Sequence, residues 1–238
     1  MRARVENVKL QARAAGFLYL VVFVAIFALF TRDALIVSGD AAATAHNILA
    51  AEAQFRVALL ADLASAAAYI GVTGLLYLLL KPVNRAVSLL AALFGLAGSC
   101  SMAINLVHHF APLVLLGEAG HFGGFSSEQL HGLARIALSL QGAGYNIAGF
   151  LFALHLLLLG WLVLGATFLP RILGMLLVIG ALAYMTNIAA VFLAPNLSAA
   201  LHPYILLPGF FGEAGLALWL VSMGVNETKW RAQADGLT

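Results

Sequence analysis

Charge is what this sequence has least of. Only 9% of its 238 residues are charged, whereas a soluble domain carries about 25%. Because 63% of the residues are hydrophobic, the polar side chains are too few to cover a globule in water. The composition therefore argues against a soluble domain and indicates a protein whose solvent is the lipid bilayer.

The sequence also has only one cysteine and a small net charge. The single cysteine, Cys100, rules out an internal disulfide, and its apolar surroundings predict a small buried side chain. The net charge of +2 gives no basic surface, and no nucleic-acid-binding motif occurs. We expect no nucleic-acid partner.

Long apolar stretches are what the sequence does contain. Six of them stand out, at approximately residues 14–31, 55–80, 86–113, 129–166, 170–194 and 203–224. A spanning helix needs about 20 apolar residues, so each stretch suffices for one crossing. We predict an all-α polytopic membrane protein with six transmembrane helices in one bundle, forming a single domain over residues 1–238. TRDALIV follows the first apolar run in place of a cleavage site, so that run is interpreted as a span and not as a signal peptide.

Two connections carry their own signals. SGDAAATAHNILAAEAQF, after the first span, predicts a short extracytoplasmic helix with Asp40 as its N-cap. GEAGHFGGFSSEQLHG, before the fourth span, is interpreted as a flexible loop. Its Ser126-x-x-Gln129 pattern predicts a capping box that starts the next helix.

The placement of lysine and arginine predicts the orientation. Nine of these residues fall on one side of the predicted spans and two, Arg32 and Arg56, at span edges on the other side. The nine are Arg2, Arg4, Lys9, Arg13, Lys81, Arg85, Arg171, Lys229 and Arg231. The positive-inside rule then places both termini in the cytoplasm. The expected location is the inner membrane of a bacterial cell.

Four stretches carry a resemblance to a known family. SGDAAATAHNI, LYLLLKPVNR, HLLLLGWLV and FLPRILGMLLVIGALAYM resemble, in this order, segments of a bacterial six-span membrane family, domain of unknown function 4386. The similarity extends over nearly the whole chain and implies the six-helix topology. It implies no activity, cofactor or catalytic residue, so cofactors remain unknown and the function has to be argued from the residues.

Three charged residues lie within predicted spans and away from the span edges: Asp62, Arg135 and Glu213. A charge in a bilayer costs several kcal/mol unless it is paired, neutralised or hydrated, so such residues face the bundle interior and often mark function. Arg135 is the expected counter-ion of Asp62 or Glu213.

Uncharged polar residues join these charges at one depth. Near the end of the third span, NLVHHFAPL supplies Asn105 and two histidines, His108 and His109, and the fourth span supplies Tyr145. If both termini are cytoplasmic, these residues lie in the outer half of the membrane, whereas the inner half is nearly pure aliphatic. In the second span Asp62, Ser65, Tyr69, Thr73 and Tyr77 recur every three or four residues and predict one polar stripe.

We therefore predict a polar pocket in the extracytoplasmic half of the bundle that binds or transports a small amphiphilic molecule or lipid. The predicted ligand contacts are Asp62, Asn105, His108, Arg135, Tyr145 and Glu213. The glycine-rich segment 117–124 is a candidate lid. The same polar residues are also compatible with structural hydrogen bonds between helices.

Three other interpretations remain open at this stage. Asp62, His108, His109 and Glu213 are metal-ligand types, as an intramembrane metal enzyme would need, although no metal-binding spacing occurs and we predict no metal site. Haem ligation would need two histidines at one depth, and His155 differs in depth from the others. The third interpretation is a non-catalytic scaffold subunit or a homo-oligomer, with the small-residue faces at 71–74, 95–98 and 209–215 as docking surfaces.

Overall fold

The computed structural model of this chain describes residues 7–117 and 124–236. Those residues are mostly α-helical and contain no strand. In chain order the elements are α1 (Val8–Val22), α2 (Val24–Leu35), α3 (Ala41–Ala50), α4 (Glu52–Leu80), α5 (Arg85–Gly117), α6 (Ser127–Gly165), α7 (Arg171–Leu193), α8 (Pro195–Leu201), a 3-10 turn (Tyr204–Leu206), α9 (Leu207–Ser222) and α10 (Glu227–Asp235). Arg2, Arg4 and most of the proposed glycine-rich lid, residues 118–123, lie outside the described residues.

In the part of the chain that the structure describes, six helical segments are long and apolar enough to cross a membrane. They are Val8–Leu35, Glu52–Leu80, Arg85–Gly117, Ser127–Gly165, Arg171–Leu193 and Tyr204–Ser222. The first consists of α1 and α2, which meet at Phe23, and the sixth consists of the 3-10 turn and α9. The prediction of an all-α polytopic membrane protein with six transmembrane helices is confirmed.

Both predicted start signals are confirmed. The Asp40 side chain accepts a hydrogen bond of 2.8 Å from the backbone N–H of Ala43, which starts α3 after the first span. At the start of α6 the Ser126 hydroxyl accepts from the Gln129 N–H at 3.2 Å, and the Gln129 side chain accepts from the Ser126 N–H at 2.8 Å. This reciprocal pair is a capping box.

The chain divides into two compact units. Unit 1 comprises Met1–Val21, Ala68–Ser99 and Ile147–Thr238, and unit 2 comprises Val22–Ala67 and Cys100–Asn146. The single domain expected from the sequence stays a prediction. Cys100, expected to be buried, is exposed on α5. An apolar run in a membrane helix has a side that faces lipid and a side that faces the protein core. Hydropathy does not distinguish these sides, so the predicted burial of Cys100 was wrong.

Unit 1 is packed through glycines. A Cβ added to Gly180 of α7 would lie 2.5 Å from the Cα of Gly209 on α9, and one added to Gly212 would lie 2.9 Å from the Leu176 carbonyl oxygen. Such small residues let membrane helices approach closely. The Gly209–Gly215 face therefore packs inside this chain and is not the docking surface predicted for a scaffold. Gly98 likewise packs within the unit, against the Phe152 ring.

The last helix, α10, is attached to the ends of two spans of unit 1. The buried Trp230 indole donates to the Leu79 carbonyl at 2.8 Å, near the end of α4. The Gln233 side chain donates to the Gly165 carbonyl at 3.1 Å and accepts from the Thr167 N–H at 2.9 Å, after α6. These bonds satisfy polar groups that a helix leaves open at its C-terminal end.

Unit 2 contains a separate apolar cluster. It brings together α3, the start of α4, the end of α5 and the first turns of α6, through Ala45, Ile48, Phe55, Leu113, Leu116, Ala134 and Leu138. The short helix after the first span is therefore packed against span ends. Phe55 of this cluster packs against the buried His109, so the apolar cluster adjoins polar side chains of the same unit.

Candidate functional site

Three buried polar side chains from the first three spans meet in unit 2. An Nη of Arg32 lies 2.5 Å from Oδ2 of Asp62, and Nδ1 of His109 lies 3.2 Å from the same oxygen. The exposed fractions are 3% for Arg32, 3% for Asp62 and 0% for His109. A charged pair is therefore enclosed by the protein, as a bilayer environment requires.

The hydrogen-bond pattern determines which face of the imidazole is open. Nδ1 of His109 lies 3.2 Å from Oδ2 of Asp62 and 3.4 Å from an Nη of Arg32. Because the carboxylate contact is the shorter one and a carboxylate oxygen only accepts hydrogen bonds, we assign the hydrogen to Nδ1 of His109. In the neutral ring, Nε2 then presents a lone pair. Among the described residues this buried Nε2 has no hydrogen-bond partner.

An aromatic side chain covers this group. The Phe55 ring packs edge-on against the His109 ring, with 4.6 Å between the ring centroids. Phe55 is itself 1% exposed and belongs to the apolar cluster formed with α3. The environment of the ion pair therefore has a low dielectric constant, in which electrostatic interactions are strong and unpaired polar groups are costly.

A second set of polar contacts lies one helical turn away. Asn105 precedes His109 by four residues on α5, so the two share a helix face. The Asn105 amide donates to the Gln141 backbone carbonyl of α6 at 2.8 Å. Gly144 permits this approach, because an added Cβ would collide with the Asn105 side chain. Asn105 also lies 3.2 Å from Nδ1 of His108, the predicted contact.

Gln141 supplies the second open polar atom. Its side chain is buried, and within the described part of the chain its Nε2 has no hydrogen-bond partner. An amide nitrogen donates, whereas the open nitrogen of His109 accepts. We call Arg32, Asp62, Asn105, His109 and Gln141 the unit 2 polar cluster. It offers one unused acceptor and one unused donor inside the protein.

Arg135 is not the counter-ion of Asp62. It donates to the Ser139 hydroxyl at 2.8 Å, one turn along its own helix, whereas Asp62 is paired with Arg32. The predicted pairing is therefore wrong, because α2 continues to Leu35 and carries Arg32 inside the helix. Tyr145 is half-buried and lies four residues after Gln141 on α6.

Glu213 belongs to unit 1 and has other partners. The Tyr19 hydroxyl donates to one carboxylate oxygen at 2.9 Å, and the Tyr184 hydroxyl donates to the other at 3.0 Å. These donors come from α1 and α7, so the close packing around Gly209 and Gly212 does let Glu213 reach neighbouring helices, as expected. Glu213 is held by phenols and not by Arg135. Its role as a ligand contact stays a prediction, as do those of Asp62, Asn105, His108, Arg135 and Tyr145.

The predicted polar stripe of α4 is confirmed as an inward-facing surface. Asp62, Ser65, Tyr69 and Thr73 are buried, and Tyr77, the last member of the stripe, is half-buried. Ser65 donates to the Val22 carbonyl at 2.9 Å within unit 2, and the Tyr69 ring packs against Tyr19 within unit 1. The stripe therefore makes contacts between helices over much of its length.

The donor set does not match a metal site. In residues 7–117 and 124–236, no three His, Cys, Asp or Glu side chains come together in positions that hold a metal ion. Asp62 and His109 do meet, but the Arg32 guanidinium occupies the shared carboxylate oxygen.

Six apolar helices with buried polar groups between them define a polytopic helical membrane protein. The family model described as domain of unknown function (DUF4386) matches residues 14–224, and the chain belongs to that family. No curated protein and no solved structure matches this chain.

Five contributing residues were not among the predicted contacts: Arg32, His109, Gln141, Tyr19 and Tyr184. Arg32 resembled a span-edge charge, although the apolar ALIV that follows it was a signal that the helix continues. Periodicity alone did not decide between His108 and His109, which are adjacent. Tyr19 carried no pattern that set it apart from the other aromatic residues of the first span.

Proposed function

We propose that this protein binds, and by extension transports, a small amphiphilic molecule whose polar head enters the unit 2 polar cluster. The observation that carries the proposal is the pair of open atoms, Nε2 of His109 and Nε2 of Gln141. Buried polar groups are nearly always hydrogen-bonded, and an exception calls for a missing partner. A bound head group is such a partner.

The cluster also indicates the chemistry of that head group. Arg32 and Asp62 already neutralise each other, so a charged ligand would add an unbalanced charge in an apolar setting. A hydroxyl, amide or protonated acid group donates to His109 and accepts from Gln141. The proposed ligand is therefore neutral and hydrogen-bonding at one end and apolar at the other, where the surrounding side chains are aliphatic.

The proposed location follows from the arginine and lysine distribution. Because Arg32 is buried against Asp62, it no longer counts as a charge of the outer side, and the bias strengthens to nine against one. This supports cytoplasmic ends for the chain in a bacterial inner membrane. The unit 2 polar cluster then lies in the outer leaflet, where amphiphiles are available from outside.

Native mass spectrometry of the full chain tests the binding step. We expect the protein, purified in mild detergent and incubated with a lipid extract of the expression host, to retain a small molecule that chromatography and mass spectrometry identify. His109→Asn keeps a donor toward Asp62 but removes the open acceptor, and Gln141→Leu removes the open donor. Each lost hydrogen bond is worth about 1–3 kcal/mol when its buried partner stays unsatisfied, so affinity for the retained molecule should fall about fivefold to a hundredfold.

His46→Asn is the matched control, since His46 is exposed on α3 of the same unit. This variant should retain the molecule as the wild type does. Equal retention by all four proteins, or no retained molecule in the wild type, would contradict the proposal and leave the scaffold interpretation. Once a ligand is identified, its flux in proteoliposomes decides between binding and transport.

A further inference from the structure

A second polar feature lies in unit 1, apart from the proposed ligand site. His155 of α6 is 1% exposed, and its Nδ1 lies 2.8 Å from the Ala91 carbonyl oxygen of α5. A carbonyl oxygen accepts only, so Nδ1 carries the hydrogen, and Nε2 of the neutral ring is an acceptor. In the described part of the chain that Nε2 has no partner.

Thr73 of α4 is in the same situation. Its side chain is buried, and its hydroxyl oxygen has no hydrogen-bond partner among the described residues. A threonine in a helix often bonds a carbonyl of the preceding turn, so an unused hydroxyl at this position needs an explanation. The hydroxyl can both donate and accept.

The two open groups lie close together on either side of Gly95. A Cβ added to Gly95 would lie 2.8 Å from Nδ1 of His155 and 2.8 Å from the Thr73 oxygen. Nδ1 of His155 and the Thr73 oxygen are therefore at most 5.6 Å apart (twice 2.8 Å), so the imidazole ring and the hydroxyl are neighbours.

Both groups line one small cavity, with Tyr77 and Ser88 beside them. Ser88 donates its hydrogen to the Tyr77 carbonyl at 3.1 Å, which leaves its oxygen lone pairs available. Leucines and alanines complete the wall. A buried water needs two to four polar partners, and a cavity with such partners is hydrated whereas an apolar one stays dry.

We infer that this cavity holds a water molecule that donates to Nε2 of His155 and accepts from, or donates to, the Thr73 hydroxyl. The water satisfies two groups that would otherwise be unpaired inside a membrane protein. It explains why Nε2 of His155 and the Thr73 hydroxyl have no hydrogen-bond partner among the described residues. The inference is independent of any ligand in unit 2.

Solid-state NMR of the full chain in lipid bilayers, with 15N-histidine, tests the water directly. The His155 signals are assigned by their loss in His155→Asn. We expect the tautomer with hydrogen on Nδ1 and magnetisation transfer from water to Nε2. A hydrogen on Nε2, or no transfer from water, would overturn the inference.

Thr73→Val gives a second test, in which the direction of the change in melting temperature shows whether the Thr73 hydroxyl has a water partner. If water bridges the two groups, valine removes one partner of the water, so the melting temperature falls and the His155 Nε2 signal shifts. If the hydroxyl has no partner, replacing it by a methyl group leaves the melting temperature unchanged or raises it, and the inference fails. Thr186→Val is the matched control, because the Thr186 hydroxyl donates to the Leu182 carbonyl of its own helix at 2.8 Å, and it should leave the His155 signals unchanged.

Discussion

Asp62 is stable inside a membrane span because two donors share one of its oxygens. Arg32 supplies the opposite charge and His109 supplies a further hydrogen bond. Charge balance and hydrogen bonding are separate requirements for a buried carboxylate, and Arg32 and His109 contribute to them respectively. The two requirements are met by side chains from different spans, so this small group connects three helices.

Replacing one member of the Arg32–Asp62 ion pair should lower folding stability much more than replacing both members. Asp62→Asn leaves Arg32 buried without a counter-ion, and we expect a loss of about 3–5 kcal/mol of folding stability. The double variant Arg32→Met with Asp62→Leu should be closer to wild type than Asp62→Asn is. Reversible unfolding in mixed detergent micelles measures these differences.

The pair Glu52 and Arg56 is the control for that experiment. It spans one helical turn with exposed side chains, and an exposed pair of this kind is worth about 0.3–0.5 kcal/mol. Glu52→Gln should therefore have little effect. A loss from Asp62→Asn no larger than from Glu52→Gln would show that the buried pair is not maintained in the membrane.

At the scale of helices, the sequence predicts features that depend on residues close along the chain. It does not predict contacts that depend on which helices pack against each other. The number of spans and most of their limits follow from hydropathy along the chain, and the Asp40 and Ser126 caps follow from residues within one turn. The first span is the exception, since it covers Val8–Leu35 and not 14–31. The partner of Asp62 was not predictable, because it depends on which helices pack together. Arg32 and Arg135 both lie on neighbouring spans, and only the packing of unit 2 distinguishes them.

The close contact between α7 and α9 gives a prediction at this scale. Gly212→Ala should force the helices apart, because the new Cβ would lie 2.9 Å from the Leu176 carbonyl oxygen. Overpacking of this kind costs about 1–3 kcal/mol, and it should weaken the bond between Tyr184 and Glu213. Thermal unfolding of the purified protein provides the measurement.

Gly132→Ala is the corresponding control on α6. A Cβ at Gly132 meets no described atom within 4 Å, and alanine is favoured over glycine in a helix by about 0.5–1 kcal/mol. The melting temperature should be unchanged or higher. A similar loss for both variants would mean that the α7–α9 contact is not tight.

For the molecule as a whole, the proposed membrane orientation of the chain determines the leaflet in which the unit 2 polar cluster lies. It places Ser38, between α2 and α3, outside the cell, and α10 in the cytoplasm. Lys81, Arg85 and Arg171 support this assignment, since arginine and lysine accumulate in cytoplasmic loops. If the orientation were reversed, the unit 2 polar cluster would lie in the inner leaflet.

Single-cysteine labelling tests the orientation. In a Cys100→Ser background, a membrane-impermeant maleimide should label Ser38→Cys in intact cells, and it should label Ala232→Cys only after the cells are permeabilised. Both positions are exposed in the structure. The reverse pattern would invert the topology and move the proposed ligand entry to the cytoplasmic side.

The attachment of α10 has a practical meaning for anyone who handles this protein. Trp230 and Gln233 hold the tail against Leu79, Gly165 and Thr167. An affinity tag or reporter therefore belongs after Asp235, behind a flexible spacer. Trimming the chain back to the end of the last apolar stretch would uncover the ends of two spans, and the shortened product would be a poor substitute for the intact one in crystallisation or assays.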